Sequence, residues 1–187
     1  MRFTRRAMLM HLALGPSFLI HTQGHSQDSA ATVDFRDPGL VRQMRIVNDD
    51  VMGGRSSSRF VIDPEGVIFE GAVSLENNGG FASVRCPVSF PQDTSGLRLT
   101  TLGDGKQYQL IIRTEASTTA PIYKSNFVSS KDWKTHQFKP EDFEAAFRGR
   151  PVDANPLVFS EALEFGVLIA DKQAGQFRLQ LRQLQTI

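Results

Sequence analysis

With a single cysteine, a single tryptophan and two tyrosines, the sequence is closed to several functions before any motif is considered. A lone Cys86 permits no intrachain disulfide and no cysteine-rich metal site. It neither requires nor excludes an oxidising compartment. Few Trp and Tyr beside fourteen Phe indicate a core of phenyl rings rather than a surface of stacking platforms. Histidine is almost confined to the N-terminal head, at His11, His21 and His25. That leaves His136 as an ordinary polar position, neither base nor ligand. Acidic residues are missing before Asp28, where Arg2, Arg5 and Arg6 stand alone. With that head set aside, 21 basic and 20 acidic side chains become a mildly acidic body, which argues against a nucleic-acid partner. A membrane-spanning run is also lacking: the apolar stretch Ala7 to Ile20 is interrupted by His11 and Gly15-Pro16 and is too short.

The head is laid out as an export signal: a basic start, an apolar middle, and a polar exit at His21-Thr22-Gln23-Gly24 with small residues suited to cleavage near His25. Thr4-Arg5-Arg6-Ala7-Met8-Leu9 resembles the twin-arginine pattern. A mitochondrial presequence is the rival, but its arginines spread along one helical face, whereas these cluster before the apolar run. The expected organisation is therefore a signal at residues 1–24, a small polar lead-in at 25–32 and one domain at 33–187, without a membrane span in the mature chain. Periplasmic or secreted placement follows, with mitochondrial or cytoplasmic placement as the alternative.

The length and the 40% apolar content suit one domain with a substantial core. From Arg59 onward, short apolar or alternating runs are separated by turn residues: Phe60-Val61-Ile62, the turn Asp63-Pro64-Glu65-Gly66, then Val67-Ile68-Phe69. Gly103-Asp104-Gly105 between Leu97-Arg98-Leu99 and the run Gln107 to Ile112 predicts a hairpin. In the last run, Phe177, Leu179 and Leu181 point one way and Gln176, Arg178, Gln180 and Arg182 the other. Asp171-Lys172-Gln173 reads as a polar turn between strands. Helical signal is confined to Pro140 to Phe147, where Phe143 and Phe147 at i and i+4 predict two turns, and to a short turn near Asn155-Pro156-Leu157. The fold class is all-β, a jelly-roll β-sandwich with one or two short helices.

Unusual residues concentrate between Asn48 and Arg85. Two Gly-Gly pairs, each close behind Asn or Asp, mark corners needing positive φ or close approach. Brought together, they would make a binding rim from Asn48, Asp49, Asp50, Met52, Gly53, Gly54, Arg55 and Ser56 on one side, and Asn78, Gly79, Gly80, Phe81 and Arg85 on the other. Its main-chain groups would give directional contacts, Arg55, Asn78 and Arg85 polar ones, and Met52, Phe81 and Trp133 apolar area. Asn48-Asp49-Asp50 resembles the start of a calcium loop but lacks the alternating carboxylates and closing Glu, so it reads as a turn. Ser56-Ser57-Ser58 lacks a nucleophile elbow, and no Lys-Ser/Thr pair completes a phosphate loop. No catalytic residue, metal or cofactor is expected.

The words Asn48-Asp49-Asp50-Val51-Met52-Gly53-Gly54-Arg55-Ser56, Phe69-Glu70-Gly71, Asn77-Asn78-Gly79-Gly80-Phe81-Ala82-Ser83-Val84-Arg85, Gly103-Asp104-Gly105-Lys106-Gln107-Tyr108, Phe147-Arg148-Gly149-Arg150 and Ile169-Ala170-Asp171-Lys172-Gln173-Ala174-Gly175-Gln176-Phe177 resemble, in order, the NADH:ubiquinone oxidoreductase complex I intermediate-associated protein family. The resemblance runs from about Val33 to Leu184. It implies a galactose-binding-domain-like jelly roll and a non-catalytic role, the best-known members being assembly chaperones for respiratory complex I. The partner it implies is a protein, a respiratory or other membrane complex subunit; the fold's likeness to carbohydrate-binding modules adds a glycan as the further alternative. Where the family carries a Trp shortly before its Asn-Asp word, this chain has Met44 and Arg45, so one aromatic wall is expected to be missing. The chaperone role belongs to the matrix side, equivalent to the bacterial cytoplasm, and an exported chain would face the other compartment. N-terminal sequencing of the mature protein is expected to start near His25; an intact Met1 would refute a cleaved signal.

Overall fold

The computed structural model describes residues 32–187; the expected signal at 1–24 and nearly all of the expected lead-in at 25–32 lie outside them. The described residues hold thirteen strands: β1 (Thr32–Asp34), β2 (Arg45–Asn48), β3 (Ser57–Asp63), β4 (Gly66–Val73), β5 (Ala82–Pro87), β6 (Leu97–Gly103), β7 (Gln107–Arg113), β8 (Ile122–Val128), β9 (Lys134–Phe138), β10 (Glu144–Phe147), β11 (Arg150–Pro151), β12 (Glu164–Ile169) and β13 (Gly175–Thr186). One four-residue helix, α1 (Pro38–Val41), is opened by the Asp37 side chain, which accepts from the Gly39 amide. The strands form two antiparallel sheets, as expected for a sandwich. One runs β3-β4-β13-β6-β9 with β1 also on β13; the other runs β11-β10-β8-β7-β12-β5-β2.

Alternation along β13 shows how the sheets meet. Phe177, Leu179 and Leu181 are buried while Gln176 and Arg178 are exposed. A bulge between Leu181 and Gln183 then shifts the register, so that Leu184 and Thr186 turn inward. Phenyl rings fill the interlayer as the composition suggests: Phe69 meets Phe177 edge to face at 4.8 Å, and Phe35 meets Phe165 at 5.8 Å. Each fully buried aliphatic or phenyl side chain contributes about 1.5–3 kcal/mol.

Asp63-Pro64-Glu65-Gly66 makes the expected hairpin between β3 and β4, with the Asp63 carboxylate accepting from the Glu65 amide at 2.9 Å. Two expectations fail. Gly103-Asp104-Gly105 is not a hairpin, because β6 lies in one sheet and β7 in the other. It is the crossing between layers, held by Asp104, whose carboxylate accepts from Tyr108 Oη at 3.1 Å and from the Arg178 amide at 2.9 Å. The segment Pro140 to Phe147 is not two helical turns: Pro140–Asp142 makes one 3-10 turn, and the next residues pair as β10 with β8. Phe143 and Phe147 fit period two as well as i and i+4. Sheet pairing with β8, and the packing of Phe143 between Phe138 and Phe159, decide for the strand.

Cys86 is 1% exposed, and burial, with Glu164 adding to it, pushes its thiol up to about 11. Alkylation of Cys86 by iodoacetamide at pH 8 is therefore expected to run at the rate of global unfolding and to jump above the urea midpoint. Rapid labelling in native buffer would contradict the packing described.

Candidate functional site

Asp49 brings the two Gly-rich loops together. β2 delivers the chain into a 3-10 turn, Asp49–Met52, closed by Gly53 at φ 88°. The Asp49 side chain points inward and is fully buried. Its Oδ1 accepts from the Ser56 amide at 2.9 Å; its Oδ2 accepts from Ser56 Oγ at 2.5 Å, from the Gly80 amide at 2.6 Å and from the Phe81 amide at 3.3 Å. A carboxylate at this depth needs such donors. Burial would push its pKa up, but the Ser56 hydroxyl and the amides of Gly80, Ser56 and Phe81 outweigh burial and hold it below the usual carboxylate value.

The closeness of the loops explains two of the glycines. A Cβ on Gly54 would collide with the Asp49 carboxyl carbon, and one on Gly79 would sit 2.5 Å from Oδ2. In the second loop, Asn77 and Asn78 take φ of 55° and 59°, which asparagine tolerates better than most residues. Asn77 Nδ2 donates to the Gly53 carbonyl at 3.0 Å, and Arg55 pairs with Glu76 at 3.2 Å across the surface. Below, Ser58 Oγ donates to Asn48 Oδ1 at 2.6 Å, tying β3 to β2.

The two loops thus share one rim, as expected, but their amides are not open to a ligand. Gly53 donates to the Asp50 carbonyl, Gly54 to that of Asp49, Gly79 to that of Glu76 and Gly80 to the Asp49 carboxylate. Asn48, Asp49 and Ser56 are internal supports; Phe81 is half-buried. What the rim shows to solvent is Val51, Met52 and Leu75, respectively 69%, 60% and 43% exposed, beside Asp50, Arg55, Glu76 and Asn78. Val51 and Leu75 were not foreseen, for nothing in their sequence distinguishes an exposed aliphatic from a core one. Arg85 is not part of the rim. It lies four residues along β5, about 13 Å away in an extended strand, with its guanidinium 3.7 Å from Glu164 on the outer face of the seven-stranded sheet.

Other chemistry-bearing groups are committed within the fold. His136 is 9% exposed and hydrogen-bonds Thr101 at 3.2 Å; burial, then Lys134, lower its pKa. Trp133 is covered by the Arg182 guanidinium, 4.0 Å from the ring centroid. Tyr108 and Tyr123 are buried, their hydroxyls donating to Asp104 and to the Asn155 carbonyl. Among the described residues no three His, Cys, Asp or Glu side chains converge on a metal position, and no helix is long and apolar enough to cross a membrane.

The family model for complex I intermediate-associated protein 30 matches residues 33–181, spanning both sheets and the rim. The chain belongs to that family. No curated protein matches it significantly in sequence. Among solved structures, the family 11 carbohydrate-binding module of the cellulosomal cellulase Lic26A-Cel5E of Clostridium thermocellum superposes with a TM-score of 0.61 at 11% identity, over 84% of this chain and 95% of that one. The same organism's family 11 module in complex with a β-1,3-1,4-mixed-linked tetrasaccharide gives 0.58 at 11% identity, over 83% and 94%. A family 29 carbohydrate-binding module, CBM29-2 carrying an arginine-to-alanine substitution, gives 0.51 at 12% identity, over 85% and 91%. These members of other families share the jelly-roll sandwich, and at such identity the likeness is one of fold.

Asp49→Asn keeps the shape but replaces one acceptor oxygen with a donor facing donors. It is expected to cost about 3 kcal/mol, two charge-assisted hydrogen bonds at about 1.5 kcal/mol each, read as a lower urea midpoint. Because folding depresses the Asp49 pKa, its contribution is complete above the unfolded value near pH 4 and disappears as pH falls through the folded one. Wild-type stability should therefore fall more steeply below about pH 4 than that of the Asn variant; parallel curves would remove Asp49 from its assigned place.

Proposed function

We propose that this chain is a non-catalytic binding module that docks a protein partner on the rim built around Asp49. The observation that carries the reading is the exposure of Val51 and Met52 on a turn fixed by a buried carboxylate. Large apolar side chains held out on a rigid support cost little backbone entropy on binding, and burying each is worth about 1.5–3 kcal/mol before its own rotamer freedom is lost. Asp50, Arg55, Glu76 and Asn78 surround them as a polar border, the arrangement that excludes water from an apolar contact.

The non-catalytic reading is supported by the engagement of the usual reactive groups, with Asp49 holding two loops, His136 on Thr101 and Cys86 buried. The family's description points to an assembly context, in which the partner is a subunit of a respiratory or other membrane complex. The arginine-led head supports a partner on the periplasmic or secreted side instead, and the test distinguishes the two. Glycan binding by ring stacking draws less support, since Trp133 is capped by Arg182 and both tyrosines are buried.

The double variant Val51→Ser with Met52→Ser is expected to keep the wild-type Tm. In crosslinked pull-downs from separated periplasmic and cytoplasmic fractions, it should lose the protein that the wild type retains. Equal recovery by the double variant would overturn the rim as the docking surface, and saturable binding on a glycan array would replace the protein partner with a sugar.

A further inference from the structure

Adjacent strands β2, β5, β12 and β7 turn charged side chains away from the core at one place on the seven-stranded sheet. Arg45 pairs in register with Arg85, and Glu164 with Arg113, while Arg85 sits opposite Gly166, two residues along β12 from Glu164. Three guanidinium groups therefore surround one carboxylate. Arg45 Nη2 donates to Glu164 Oε2 at 2.5 Å. Arg85 Nη1 and Arg113 Nε stand 3.7 Å and 3.9 Å from Oε1, beyond hydrogen-bonding distance. That oxygen is buried and accepts no hydrogen bond.

The donors are equally underused. Arg85 gives one bond, from Nε to Ser83 Oγ, and Arg113 one, from Nη2 to the Ser117 carbonyl. Both side chains are only 15% exposed. Desolvating guanidinium groups is costly, and a network serving stability alone would match cations with carboxylates. Here two positive charges are left over on a surface that partly excludes water. Burial lowers the Arg85 pKa; Glu164 opposes this, and Arg45 and Arg113 add to it as like charges. The planar fork of arginine fits two oxygens of one anionic group, and fits carboxylate, sulfate and phosphate alike.

We propose that the cluster of Arg45, Arg85 and Arg113 around Glu164 is a binding site for an oxyanion, the carboxylate, sulfate or phosphate group of a ligand. Arg85 and Arg113 fork onto the incoming oxygens, and Glu164 keeps the guanidinium groups gathered while the site is open. The site lies apart from the Val51–Met52 rim, and stands or falls independently of it.

The test is thermal shift and titration calorimetry with sulfate, inorganic phosphate and galacturonate, at ionic strength matched with sodium chloride and with neutral galactose as control. Saturable stabilisation by at least one oxyanion is expected, weakened about tenfold or more in Arg85→Gln and Arg113→Gln. Response to galacturonate alone identifies a planar carboxylate, response to sulfate and phosphate a tetrahedral group. Stabilisation of equal size in wild type and both Gln variants would mean a general salt effect and would overturn the site, as would no shift beyond sodium chloride. Should those variants not fold, Glu164→Gln carries the test: the amide oxygen still holds Arg45 in place while the competing charge is gone, so oxyanion binding should tighten about tenfold, and unchanged or weaker binding would refute the assignment.

Discussion

A carboxylate without water must be surrounded by donors, and at Asp49 the donors come from two loops far apart along the chain. Ser56 supplies an amide and a hydroxyl from one, Gly80 and Phe81 supply amides from the other. Neither loop has an internal reason to lie beside its counterpart. The charge forces the approach, and the approach excludes any side chain at Gly54 and Gly79, whose places the Asp49 carboxyl group occupies. From that single requirement follow the positive φ of Gly53, the bridge from Asn77 to Gly53 and the outward position of Val51 and Met52.

The fold was legible where period and turn chemistry agree. Asp63-Pro64-Glu65-Gly66 and the Phe177, Leu179, Leu181 alternation specify their structures locally, and the resemblance in long words anticipated the jelly roll. It was illegible where a local pattern serves two ends. Asp104 between glycines turns a hairpin or a layer crossing equally well, and only the pairing of β6 with β13 rather than β7 separates them. Phe143 and Phe147 satisfy both helical and extended spacing, so the choice falls to β8, a distant strand. The site divided in the same way. Its glycines announced two corners meeting, but not that Asp49 would consume their amides, because the depth of a carboxylate is set by packing.

Met44 and Arg45 show how one departure from the family pattern separates into two effects. Met44 is 8% exposed in the core, while Arg45 points to the outer face and reaches Glu164. Arg85, expected at the rim, belongs with Arg45 as well. Charges from strands β2, β5, β7 and β12 meet there, and no spacing along the chain connects them. The molecule consequently has an exposed apolar pair at its rim and an arginine cluster on its sheet, separated by the half-buried Phe81 and the first residues of β5.

The bulge in β13 affects how the domain tolerates length changes. Before it, β13 pairs with β4; after it, with β1, while β6 follows on the other side. Loss of Arg182 would remove the bulge and leave Leu184 and Thr186 inward in their present register with β6, whereas one further residue inserted after Gln183 would rotate both into solvent and detach the first strand without touching it. Insertions between Asp153 and Ala154, both exposed, would have no such reach. Lengthening of this sandwich is thus steered away from its last strand and toward its loops, however similar the two look in composition.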